Sequence, residues 1–91
     1  MTVYVGRHSF TGPFRSPERI VDKAGVYALL IGQTRGFRVL EVDQSANLRT
    51  TLTRCLLGRD DEEIQVAVLY TPGVQRSGRL RLVEQIRKAC E

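Results

Sequence analysis

The chain has 91 residues, a length typical of one domain covering residues 1–91. Apolar residues make up 42% of it and charged residues 26%, which is ordinary globular composition and excludes a disordered, collagen-like or disulfide-rich chain. The net charge of +4, with 12 arginines among the 14 basic residues, favours a polyanionic partner.

The first 23 residues are predicted to form an arm around the core. Its start, "MTVYVG", alternates like an edge strand, but the segment after it is rich in turn-forming residues. Pro13 and Pro17 argue against a central strand there, and Ser16 and Pro17 are placed to start one helical turn ending at Ile20. The arm has no basic segment followed by an apolar core, so we expect a cytoplasmic protein.

The predicted core covers residues 24–91 and begins with two strands. "GVYALLIG" (25–32) is apolar on both alternating faces, which indicates a central strand covered on both sides. "FRVLEVD" (37–43) follows after a short turn, so the two strands are expected to pair as a hairpin. A helix over about 46–57 then follows, with Ser45 as its N-cap and Gly58 at its end.

The second half of the core is predicted to contain an acidic loop, a strand and a helix. "RDDEE" (59–63) is expected to be a solvated loop, and "IQVAVLYT" (64–71) a third strand. Ser77 is placed to cap a final helix, whose buried stripe would comprise Leu82, Val83, Ile86, Ala89 and Cys90. The predicted fold is therefore α+β: a small, mainly antiparallel three-stranded sheet flanked by helices, in the order β-β-α-β-α.

This order, with "GVY" in its first strand and a hairpin leading into "NLRTTL", resembles the GIY-YIG nuclease superfamily. The resemblance covers roughly Ala24 to Cys90. It implies enzymes that cut DNA or RNA phosphodiesters with one divalent metal. In that family a tyrosine from each of the first two strands and an arginine from the following helix surround the site, and a later helix supplies the glutamate that holds the metal.

Carried over to this sequence, the resemblance places Tyr27 at the family's first tyrosine. The other positions depart from the pattern, because Glu41 falls at the second tyrosine and Asp43 at the glycine of the second motif. Thr51 stands where the arginine is expected, and Val83 where the glutamate is expected. A slip of one residue in the last helix would restore Glu84 as the metal ligand.

These departures predict a catalytically inactive module without a cofactor. Phosphodiester cleavage needs a positioned nucleophile and cations that neutralise the charge on the phosphoryl oxygens, whereas Glu41 and Asp43 add negative charge. If the alignment holds, all five aligned side chains should converge on one concave patch. Nucleic acid is the favoured partner, with phosphate contacts predicted for Arg49, Arg54, Arg76 and Arg79.

Two alternatives stay open on the sequence. One is an endonuclease dependent on Mg²⁺ or Mn²⁺, with a rearranged site around Tyr27, Glu41 and Glu84. The other is a protein-interaction module that uses the same surface. Cys55, Cys90 and His8 are interpreted as bystanders, the two thiols because they fall on the apolar side of predicted helices and have no CxxC partner.

Overall fold

A computed structural model of the chain describes residues 2–57 and 63–90. Its secondary-structure elements are β1 (Thr2–Val5), β2 (His8–Phe14), a short 3-10 helix (Pro17–Arg19), β3 (Gly25–Gln33), β4 (Gly36–Ser45), α1 (Leu48–Leu56), β5 (Ile64–Tyr70) and α2 (Arg76–Cys90). The predicted helix end at Gly58 and most of the predicted acidic loop lie outside the described residues.

The strands form one five-stranded sheet in the order β1-β2-β5-β3-β4, with every neighbouring pair antiparallel. The class α+β is therefore confirmed, but the predicted three-stranded sheet is wrong. The three predicted strands are present as β3, β4 and β5. The two additional strands come from the segment that we expected to be a wrapping arm.

The first additional feature is a tight hairpin between β1 and β2. Val5 pairs with His8, so the turn has only two residues, Gly6 and Arg7, with φ of 53° and 72°. Two consecutive positive φ values are typical of the turns that match the twist of paired strands. Glycine adopts this conformation readily but arginine rarely does, which is why the turn was missed in the sequence.

The second departure is that β2 contains Pro13 and still lies inside the sheet. Thr11 pairs with Val68 and Phe14 with Val66, so β2 has one residue more than β5 between these two pairs. This bulge accommodates a residue that has no N–H to donate. Gly12 makes the close approach possible, because a Cβ there would lie 2.9 Å from the carbonyl oxygen of Val66.

The two α-helices cover opposite faces of the sheet. On one face, α2 packs Val83 and Ile86 against a core that includes Val26, Ala28 and Leu30 of β3. On the other face, α1 packs Leu48 and Leu52 against Tyr27 and Leu29. Strand β3 is therefore buried on both sides, as its apolar sequence predicted.

Because side chains alternate along each strand, each strand residue faces either α1 or α2. We call the two surfaces the α1 face and the α2 face of the sheet. The predicted buried stripe of α2 ends earlier than expected, since Ala89 and Cys90 are both exposed. None of the helices in the described ranges is long and apolar enough to cross a membrane.

Candidate functional site

The structure brings three of the aligned residues together on the α1 face. Tyr27 of β3 pairs with Asp43 of β4, and Leu29 pairs with Glu41. Because directly paired residues in a sheet share a face, the carboxylates of Glu41 and Asp43 lie on the same side as the phenol of Tyr27. A bulge at Leu40 separates these pairs from the outer half of the hairpin.

The surroundings of Tyr27 keep its hydroxyl protonated. Its side chain is only 4% exposed, and this burial is the main reason why the pKa of the phenol is raised. The neighbouring Cys55 thiol, Asp43 and Glu41 raise this pKa further. These influences all oppose deprotonation, so the phenol is poorly suited to activate water.

Thr51 lies on the same face but is engaged in a structural contact. Its hydroxyl is 2.6 Å from the hydroxyl of Ser45, and Ser45 also accepts a hydrogen bond from the backbone N–H of Asn47. The hydroxyl pair ties the end of β4 to the first turn of α1. Ser45 was predicted as the N-cap of this helix, whereas the structure places Asn47 at that position.

Val83 does not join this group. It is 3% exposed and packs in the core between α2 and the sheet, on the face opposite to Tyr27. Glu84 does not replace it either, since its carboxylate is exposed and pairs with Lys88 at 3.8 Å along α2. The expectation that all five aligned positions converge is therefore wrong for the last helix, whether Val83 or Glu84 is aligned with the family's glutamate.

Arg79 also departs from its predicted role as a phosphate contact. Its side chain is buried, at 7% exposure. Its Nε donates to the side-chain oxygen of Gln44 at 2.9 Å, and its Nη1 donates to the carbonyl oxygen of Val74 at 2.8 Å. The guanidinium thus joins the start of α2 to β4 and to the loop before the helix.

Arg49 and Arg54, in contrast, line an open cavity on the outer side of α1. This cavity, which we call the α1 pocket, has a volume of about 450 Å³ and is lined by Asp22, Arg49, Thr50, Thr53 and Arg54. Both arginines are exposed. A concave surface with two guanidinium groups is suited to phosphate oxygens, which arginine grips through paired hydrogen bonds.

Asp22 lines the same pocket, but its carboxylate is hydrogen-bonded to α1. Its carboxylate accepts from the backbone N–H of Thr50 at 3.1 Å and from the Thr50 hydroxyl at 2.9 Å. Thr50 lies in the first turn of α1, so Asp22 caps this helix from a distant segment. These hydrogen bonds lower the pKa of Asp22, with a smaller contribution from the nearby charge of Arg49.

The remaining candidates lie apart from this pocket. Arg76 is exposed at the start of α2, and Nδ1 of His8 lies 3.1 Å from the carbonyl oxygen of Gly6 within the first hairpin.

Across residues 2–57 and 63–90, no group of three or more His, Cys, Asp or Glu side chains is placed to hold a metal ion. The donor set near Tyr27, two carboxylates with Glu84 on the far side of the sheet, does not fit the metal that the resemblance implies.

Comparison with protein-family models, with curated proteins and with solved structures found no match to this chain. The function of the chain is therefore inferred from the geometry and chemistry of the site itself. On that basis the class defined is a small α+β domain with an acidic, buried tyrosine site and a separate arginine-lined pocket.

Proposed function

We propose that this chain is a catalytically inactive, GIY-YIG-like module of the cytoplasm that binds nucleic acid through phosphate contacts. The observation that carries the proposal is the α1 pocket, in which two exposed guanidinium groups line one concavity. Its lining holds two positive charges against the single carboxylate of Asp22, which already accepts two hydrogen bonds. The pocket is therefore suited to a polyanion.

The lack of catalysis is supported by the charges around Tyr27. Phosphoryl transfer requires positive charge at the oxygens on which negative charge develops. Here the phenol has two acidic neighbours, and the residue aligned with the family's arginine is a threonine bonded to Ser45. A phosphodiester placed at Tyr27 would meet repulsion from Glu41 and Asp43 rather than stabilisation.

A binding experiment with matched variants tests the proposal. Fluorescence anisotropy with labelled duplex DNA and single-stranded RNA at low salt compares the wild type with the double variant Arg49→Ala/Arg54→Ala. The control is Arg35→Ala/Arg81→Ala, which removes the same charge from two other exposed positions. We expect the α1 variant to lose most of its affinity and the control to retain it.

Two outcomes would contradict the proposal. Equal losses in both double variants would mean that the protein attracts nucleic acid only by its net charge, and no binding at low salt would favour a protein partner. Incubation with Mg²⁺ or Mn²⁺ tests the inactive site separately. We expect no cleavage, whereas cleavage that disappears in Tyr27→Phe would show a working enzyme.

A further inference from the structure

A second cavity lies at the end of the sheet where β3 begins and β5 ends. We call it the Tyr70 pocket; it has a volume of about 500 Å³ and is lined by Val21, Lys23, Ala24, Tyr70 and Pro72. It shares no lining residue with the α1 pocket. Its volume lies within the range of roughly 300–1,000 Å³ that is typical of small-molecule sites.

The walls of this pocket are held in place by hydrogen bonds to neighbouring elements. The Tyr70 hydroxyl accepts from the backbone N–H of Val21 at 3.0 Å. The carbonyl of Ala24 accepts from Thr71 at 3.1 Å, and the carbonyl of Lys23 accepts from the first residue of α1 at 3.0 Å. A pocket formed before binding spares a ligand much of the entropy of ordering its site.

The lining combines apolar walls with two hydrogen-bond donors. Val21, Ala24, Pro72 and the ring of Tyr70 provide apolar contact, and Val21 is 50% exposed. The Tyr70 hydroxyl acts as an acceptor toward Val21, so its own proton remains to be donated. Lys23 also lines the pocket and carries an ammonium group, whereas the adjacent carboxylate of Asp22 is hydrogen-bonded to Thr50.

We propose that the Tyr70 pocket binds a small apolar carboxylate. The apolar body of the ligand lies against Val21, Ala24 and Pro72, and its carboxylate accepts hydrogen bonds from Lys23 and the Tyr70 hydroxyl. The charge complementarity favours an anion, since the lining contains one cation and no carboxylate. This site is independent of the phosphate contacts proposed for Arg49 and Arg54.

NMR titration of the ¹⁵N-labelled full chain with 2-naphthoate tests this site. For a ligand of this size we expect a Kd on the order of 1 mM, with saturable shifts of the amide signals of Val21, Lys23 and Ala24. The neutral 2-naphthamide should bind at least about threefold more weakly, because it lacks the charge that Lys23 recognises. Lys23→Gln should weaken 2-naphthoate binding by roughly three- to fivefold.

The variant Lys23→Gln keeps the fold because the lysine side chain is exposed and only its backbone atoms make the hydrogen bonds noted above. Arg81→Gln is the matched control, with the same loss of charge on α2, and should bind like the wild type. The inference is overturned if 2-naphthoate gives no saturable shifts at these amides. It is equally overturned if the amide binds as tightly as the acid, or if Lys23→Gln and Arg81→Gln behave alike.

Discussion

Replacement of Arg79 by alanine should destabilise the protein without removing a phosphate contact. The guanidinium is 7% exposed and makes two hydrogen bonds, to Gln44 and to the carbonyl of Val74. A hydrogen bond from a charged donor contributes about 1.5–3 kcal/mol. Since one buried side chain makes both bonds, and its removal leaves two partly buried acceptors without this donor, we expect Arg79→Ala to lower the free energy of unfolding by about 3 kcal/mol.

Urea unfolding followed by far-UV circular dichroism measures this loss. Arg81→Ala is the control on the same helix, since Arg81 is exposed, and its change should stay within about 0.5 kcal/mol. Arg79→Lys should be nearly as damaging as alanine, because lysine lacks the planar fork that reaches both acceptors. If Arg79→Ala unfolds at the same urea concentration as Arg81→Ala, the structural role assigned to this arginine is wrong.

Three further predictions concern the cap that Asp22 provides for α1, the protonation of Tyr27 and the close packing around Gly25 at the start of β3. Asp22→Ala should lower the melting temperature at pH 7. Because the pKa of Asp22 in the folded protein lies below the usual 3.8, the stabilisation by its carboxylate is present above pH 3.8 and is lost as the pH falls through the lowered pKa. A difference in melting temperature from wild type that stays constant down to about pH 2 would contradict the charged cap. Tyr27→Phe and wild type should show the same absorbance change for tyrosine ionisation up to about pH 10, since the raised pKa keeps Tyr27 protonated there; a smaller change in the variant would refute this. Gly25→Ala should lower the free energy of unfolding by about 1–3 kcal/mol through overpacking, because a Cβ there would collide with the backbone of Leu69 and with Leu48. Gly32→Ala is the control, since a Cβ at Gly32 has room, and it should unfold like the wild type. Equal effects of the two variants on the urea midpoint would contradict this account of Gly25.

Strands β3 and β5 were predictable because they are apolar runs, and β4 because it follows β3 after a short turn. Strand β3 is apolar on both faces, and its burial by two helices follows from that pattern. The first hairpin was missed because its signals are weak or misleading. Arg7 adopts a positive φ, and Pro13 lies at a bulge that the local sequence does not indicate.

The site was less predictable, because its key contacts join residues that are far apart in the chain. Arg79 lies on the same stripe of α2 as Val83 and Ile86, so the helical period alone would bury it. Its charge instead suggested exposure, and only the positions of Gln44 and Val74 explain the burial. Similarly, nothing near Asp22 in the sequence indicates that it caps a helix that begins 26 residues later.

The salt dependence of nucleic-acid binding tests the central proposal most directly. Each phosphate neutralised on duplex DNA contributes about −0.9 to the slope of log K against log salt concentration. Loss of both phosphate contacts in Arg49→Ala/Arg54→Ala should therefore make the slope shallower by about 1.8, whereas Arg35→Ala/Arg81→Ala should keep the wild-type slope. Identical slopes for the two double variants would contradict the assignment of the α1 pocket as the nucleic-acid site.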